Sequence, residues 1–93
     1  MEFEWDDAKA AGNLEKHGVS FEVVYELDWL EAITLPDGRF DYGEERYIVY
    51  GRSSGGDGYV VALTFRGDVR RIISVRPFGR REEKVYGRKN KEG

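Results

Sequence analysis

Two glycine-rich turns constrain this chain more than any other feature. Gly55-Gly56-Asp57-Gly58 and Gly67-Asp68 separate three runs of strand length, Arg46–Ser53, Tyr59–Phe65 and Val69–Val75. Connections that short join antiparallel neighbours, because a parallel pair needs a crossover of a dozen or more residues. The C-terminal half is therefore expected to be an antiparallel meander. Glu31 to Leu35, followed by the turn signal Pro36-Asp37-Gly38, adds a further short strand. Phe3-Glu4-Trp5 alternates and reads as a brief edge strand.

Between these strands lie two helix signals. Asp6 can accept the orphan amide protons of a helix over residues 7–17, and Gly18 stands at its C′ position. Ser20 can cap a second helix from Phe21 to about Trp29, with Val23, Leu27 and Leu30 on its inner face. Arg80 to Asn90 is polar and reads as a short last helix or a frayed tail, weakened by Gly87. The expected architecture is an α+β domain spanning residues 1–93. Two N-terminal helices pack on one face of an antiparallel sheet of three to four strands.

Composition supports a packed domain. Apolar residues make up 40% of the 93, aromatics 14%, and there are 12 glycines, which disfavours disorder and coiled coils. The longest apolar run, Tyr59 to Leu63, is far short of the ~20 residues of a membrane span. The opening Met1-Glu2-Phe3-Glu4 is acidic where a signal peptide would be basic. With no cysteine, disulfides and thiolate metal sites are excluded, and a reducing compartment is compatible.

The net charge of −3 conceals a division along the chain. Met1 to Glu45 sums to −10, whereas Arg46 to Gly93 sums to +7, and nine of the twelve bases in that second half are arginine. Arginine's planar fork suits phosphate and carboxylate. Two readings follow: an arginine patch facing a polyanion, or two halves that neutralise each other within the fold.

Helical projection places Lys9, Asn13, Lys16 and His17 within an arc of about 100°. That face carries two cations, an amide and the chain's sole histidine. It is either a solvated surface whose His17 favours the helix C-terminal dipole or part of a site. Strand alternation puts Arg46, Ile48, Tyr50 and Arg52 on one side of their strand, and Arg70, Ile72, Ser74 and Arg76 on one side of theirs. A sheet covered by helices on its other face would present these arginines to a ligand or to acidic neighbours. One histidine, no cysteine and scattered carboxylates make no metal constellation. No nucleophile elbow or phosphate-binding loop occurs.

Phe3-Glu4-Trp5-Asp6, Lys9, Asn13 and Lys16-His17-Gly18-Val19-Ser20-Phe21 resemble the opening signature of the BrnT toxins. Gly43-Glu44-Glu45-Arg46, Gly51-Arg52-Ser53 and Arg71-Ile72-Ile73-Ser74-Val75-Arg76 resemble that family's later blocks, and Arg80-Arg81-Glu82-Glu83 with Tyr86 its C-terminal segment. The chain departs from the family pattern at Val75 and at Phe78-Gly79, which stand where alanine and Ala-Thr are usual. Neither departure removes an ionisable group from the matched motifs.

The resemblance implies a RelE-like fold and a cytoplasmic endoribonuclease toxin that inhibits translation. It also implies a cognate BrnA-like antitoxin that neutralises the toxin, and DNA contact only through that antitoxin. The free toxin is expected as monomer or dimer, with no membrane partner and no cofactor. Metal-free RNA cleavage requires an activated 2′-hydroxyl, stabilised phosphorane charge and a protonated leaving oxygen. The expected catalytic set is His17 for proton transfer, Arg46 and Arg76 for the phosphate, Lys9 assisting and Ser74 positioning. Arg52, Arg70, Lys16 and Arg80 are expected to bind RNA, with Tyr86 a less suited proton donor because a phenol ordinarily titrates near 10. If the helix face and the arginine face lie on opposite sides of the sheet, an arginine-dominated mechanism remains. The competing class is a non-catalytic RNA- or protein-binding module that uses the same arginines.

Overall fold

The computed structural model describes residues 1–87. Strand β1 (Glu2–Glu4) leads into helix α1 (Asp7–His17) and a 3-10 helix (Phe21–Glu26). Strands β2 (Ile33–Pro36), β3 (Arg46–Arg52), β4 (Gly58–Arg66) and β5 (Val69–Pro77) follow. A single turn of helix, α2 (Arg80–Glu82), runs on into a π-helical turn (Glu83–Gly87). The part of the expected last helix beyond Gly87 lies outside the described residues.

The sheet has five strands in the order β1-β5-β4-β3-β2. The meander expected from the glycine turns is present, with β2, β3, β4 and β5 antiparallel in succession. The sheet as a whole is nevertheless mixed, because β1 pairs parallel to β5. That replaces the expected antiparallel sheet of three to four strands; α1 and the elements after it supply the long crossover that a parallel neighbour requires.

Helix α1 begins and ends where expected. The Asp6 carboxylate accepts from the Ala8 and Lys9 amides at 2.8 and 3.3 Å, and Gly18 closes the helix at φ +71°. The second expected helix does not form as an α-helix. Phe21, Val24 and Leu27 are 1%, 0% and 7% exposed, a three-residue spacing that matches the three residues per turn of a 3-10 helix. The β-branched pair Val23-Val24 also disfavours the α form. Leu27 then leaves the helix to bridge Ser53, and Leu30, expected on the inner face, is 96% exposed.

One sheet face carries the core. Val49, Val61, Leu63, Ile72 and Val75 pack there with Phe21, Val24 and Leu27. Helix α1 lies differently, packing chiefly against β5. Because β1 pairs only with Val69–Arg71, the second half of β5 has no strand on that side, and Asn13 occupies the gap. Its side-chain amide donates to the carbonyls of Val75 (2.8 Å) and Val19 (3.0 Å), and its oxygen accepts from the Val75 N–H at 3.1 Å. The other sheet face carries none of the core cluster and faces outward beside α1.

Candidate functional site

On this outward face the side chains form three rows across β3, β4 and β5. Tyr50, Val60 and Arg76 pair across the strands, as do Ile48, Ala62 and Ser74. Past a register shift, Arg46, Thr64 and Arg71 form the third row. The shift is a β-bulge in β5, where Ala62 pairs with Ser74 but Leu63 pairs with Ile72, leaving Ile73 as the extra residue. It corrects the expected alternation. Arg70 and Ile72 turn to the core side, while Ser74 and Arg76 turn outward. Arg70 lies over the rings of Trp29 and Phe65, with centroids 5.4 and 5.2 Å away.

The first two rows floor a groove of about 330 Å³. His17, at the end of α1, lines it together with Ser74 and Arg76, and the turn Leu35 to Arg39 lines the far side. The helix and strand candidates therefore meet on one side of the sheet. Two cations of the expected catalytic set are not brought to this groove. Lys9 and Arg46 line a second depression of about 210 Å³ with Thr64, Arg66 and Arg71. Lys16 and Arg80 are exposed and line neither depression.

Charge in the groove is held in place by acids. Arg76 donates to both oxygens of Glu82, at 3.3 and 3.0 Å, and to the Pro77 carbonyl. The Gly79 N–H donates to Glu82 as well, at 2.7 Å. The Arg76 bonds, with help from Gly79, pull the Glu82 carboxyl down to about 2 against an opposing desolvation penalty. On the opposite wall, Arg39 forks onto Asp37 at 2.8 and 3.0 Å and Tyr42 donates to the same carboxylate. Asp37 is thereby held well below the usual carboxylate range, with Arg39 the leading cause, and Arg39 is raised in turn.

Glu82 and Asp37 were not singled out as site residues in the sequence; Glu82 carried a signal only as part of the block Arg80-Arg81-Glu82-Glu83, and Asp37 only as part of a turn. Tyr50 stacks on Tyr86 with ring centroids 4.2 Å apart and planes at 18°. Burial, followed by Tyr86 and Glu82, raises the Tyr50 hydroxyl above its ordinary pKa. Arg52, expected to bind RNA, is committed within the fold. It donates to Glu83 at 2.6 Å and to the Gly56 carbonyl, and lies over the Phe78 ring.

Arg52 lines a separate cavity of about 470 Å³ bordered by Glu26, Asp28 and Glu31, whose acidity disfavours an anionic ligand. Among the described residues no group of three His, Cys, Asp or Glu side chains is placed to hold a metal ion. No helix among them is long and apolar enough to cross a membrane. What the outward groove offers is a histidine, a hydroxyl and a guanidinium around a partly apolar floor. That combination can move a proton beside a phosphate whose charge it neutralises.

Comparison with known proteins converges on one family. A family model described as the ribonuclease toxin, BrnT, of a type II toxin-antitoxin system matches residues 5–82. Among solved structures, the crystal structure of the Brucella abortus ribonuclease toxin BrnT matches with a TM-score of 0.67 and 25% sequence identity. The match covers 86% of this chain and 99% of that one. No curated protein sequence matches.

Proposed function

This chain belongs to the BrnT family of ribonuclease toxins from type II toxin-antitoxin systems, and from that premise we propose that it cleaves RNA with its own side chains in the His17–Ser74–Arg76 groove. The observation that carries the reading is the shared groove itself, in which one helix and one strand deliver a proton-transfer group and a phosphate-binding group to the same floor. His17 takes the proton from the ribose 2′-hydroxyl, whose oxygen attacks the adjacent phosphorus. Arg76, oriented by Glu82, and the Ser74 hydroxyl stabilise the charge that develops on the non-bridging oxygens. The 5′-oxygen leaves toward the open side of the groove and takes its proton from water.

Membership in a type II toxin family brings an antitoxin partner. We take that partner to be BrnA-like and to neutralise the toxin in the cytoplasm by covering the outward sheet face, with DNA reached only through the antitoxin. The test is induced bacterial expression of wild type beside Arg76→Ala, following growth and RNA integrity together. Growth arrest with RNA loss in wild type alone is the expected result. A soluble, folded wild type that leaves growth and RNA untouched would replace the nuclease reading with a binding module.

A further inference from the structure

We propose that the depression formed by Lys9, Arg46, Arg66 and Arg71 is a second phosphate subsite, which holds the RNA strand two nucleotide steps from the bond cleaved beside Arg76. The inference rests on the nuclease reading above and adds where the rest of the substrate lies.

Two independent rulers place this depression at the same distance from the groove. Along β4, the Arg76 row is aligned on Val60 and the Arg71 row on Thr64. Those four residues span about 13 Å at strand rise. Along α1, His17 lines the groove and Lys9 the depression. Those eight residues span about 12 Å at helical rise. Helix and sheet thus each carry a basic group at both ends of this span, at the groove and at the depression. Between the ends lies the Ile48–Ala62–Ser74 row, apolar but for one hydroxyl, which suits a ribose and a base face.

The charges at the far end are graded. Arg46 is paired to Glu44 at 3.0 Å and lies 4.1 Å from the Tyr42 ring centroid, and Arg71 is paired to Glu4 at 2.9 Å. These two are oriented by their partners. Asp6, the remaining acid there, spends its carboxylate on the α1 amides. Lys9 and Arg66 are exposed and have no salt-bridge partner among the described residues. A polyanion entering the depression therefore meets two uncommitted cations beside two pre-oriented guanidinium groups. Each phosphate that these cations neutralise releases counterions from the strand, which drives binding and makes it salt-dependent.

The test measures binding of 2′-O-methyl oligoribonucleotides, which cannot be cleaved through the 2′-oxygen, two and six nucleotides long. Wild type is compared with the Lys9→Gln/Arg66→Gln double variant, with circular dichroism as the folding control. Wild type should bind the hexamer at least tenfold more tightly than the dimer, and the double variant should lose that advantage. The slope of log affinity against log salt for the hexamer should fall by about 0.7, one phosphate contact.

Equal affinity for both lengths, or a hexamer advantage and salt slope that survive the double substitution, would overturn the subsite. Cleavage of unmodified RNA is scored on the same preparations. Cleavage without the length effect removes the subsite alone, and the length effect without cleavage removes the nuclease reading alone. Failure to bind either oligonucleotide overturns both. Arg66→Lys in place of Arg66→Gln should restore most of the slope, which a merely structural role would not require.

Discussion

The side-chain amide of Asn13 pairs with both polar groups of Val75, donating to its carbonyl at 2.8 Å and accepting its N–H at 3.1 Å. A side chain thereby does for the exposed half of β5 what a neighbouring strand would do. Edge groups left unpaired and buried are costly, so the contact fixes where α1 lies. Lys9 and His17 lie four residues before and four residues after Asn13, about one helical turn each way, so docking Asn13 carries both toward the outward sheet face.

Replacing Asn13 with alanine strands the Val75 amide and the carbonyls of Val75 and Val19. The expected loss is about 3 kcal/mol, from a penalty of about 1–3 kcal/mol for each buried group left unmade. Asn13→Asp should cost more, because it removes the donor and buries a charge facing two carbonyls. Urea unfolding of the three proteins checks this, and a cost below about 0.5 kcal/mol for either variant would mean that the pairing does not hold α1.

The 3-10 helix separates Phe21 from Leu30. Phe21→Ala should destabilise by about 3–5 kcal/mol, whereas Leu30→Ala should change stability by less than about 0.5 kcal/mol. Were residues 21–29 an α-helix with Leu30 on its inner face, Leu30→Ala would instead cost about 2 kcal/mol or more in the same unfolding experiment.

Gly58 is buried against the ring of Phe78, and a Cβ built on Gly58 would overlap the atoms along one edge of that ring. Gly58→Ala must therefore displace the Phe78 ring and should cost about 1–3 kcal/mol. In the Gly58→Ala background, Phe78→Leu should be far less damaging than in wild type, a coupling that a double-mutant cycle reads directly. Additive costs would place the strain elsewhere.

Glu82 gives the groove one pH-dependent contribution to stability. Its carboxyl is depressed from 4.5 to about 2, chiefly by Arg76. A depressed folded-state pKa adds stability that is complete above the unfolded value and lost as pH falls through the folded value. The stability gap between wild type and Glu82→Gln should therefore be full above about pH 4.5 and close as the pH approaches 2. A gap that stays constant over that range would show that the ionised carboxylate contributes nothing through Arg76.

Much of this arrangement was legible in the sequence because it depends on local chemistry. Asp6 and Gly18 bound α1 through capping and a positive φ, and the two glycine turns order the meander. The bulge at Ile73 was not legible. Alternation assumes a period of two, and nothing in Arg70-Arg71-Ile72-Ile73 marks the residue at which that period slips, so Arg70 was expected beside Ser74 and lies on the other face. The 21, 24, 27 spacing was present but competes with an equally regular set at 23, 27 and 30. His17 and Arg76 could be nominated separately, yet their meeting depends on Asn13 docking onto Val75 across 62 positions of chain. The Arg52–Glu83 ion pair was not legible for the same kind of reason, since Glu83 is brought to Arg52 only by the fold.

The central claim is that the groove cuts RNA, and it is tested most directly by incubating the purified protein with an end-labelled single-stranded RNA and identifying the new ends. The account predicts products ending in a 2′,3′-cyclic phosphate and a 5′-hydroxyl, with His17→Asn and Arg76→Ala each slower by about 100- to 1000-fold while retaining the wild-type circular dichroism spectrum. Cleavage by both variants at the wild-type rate would contradict it.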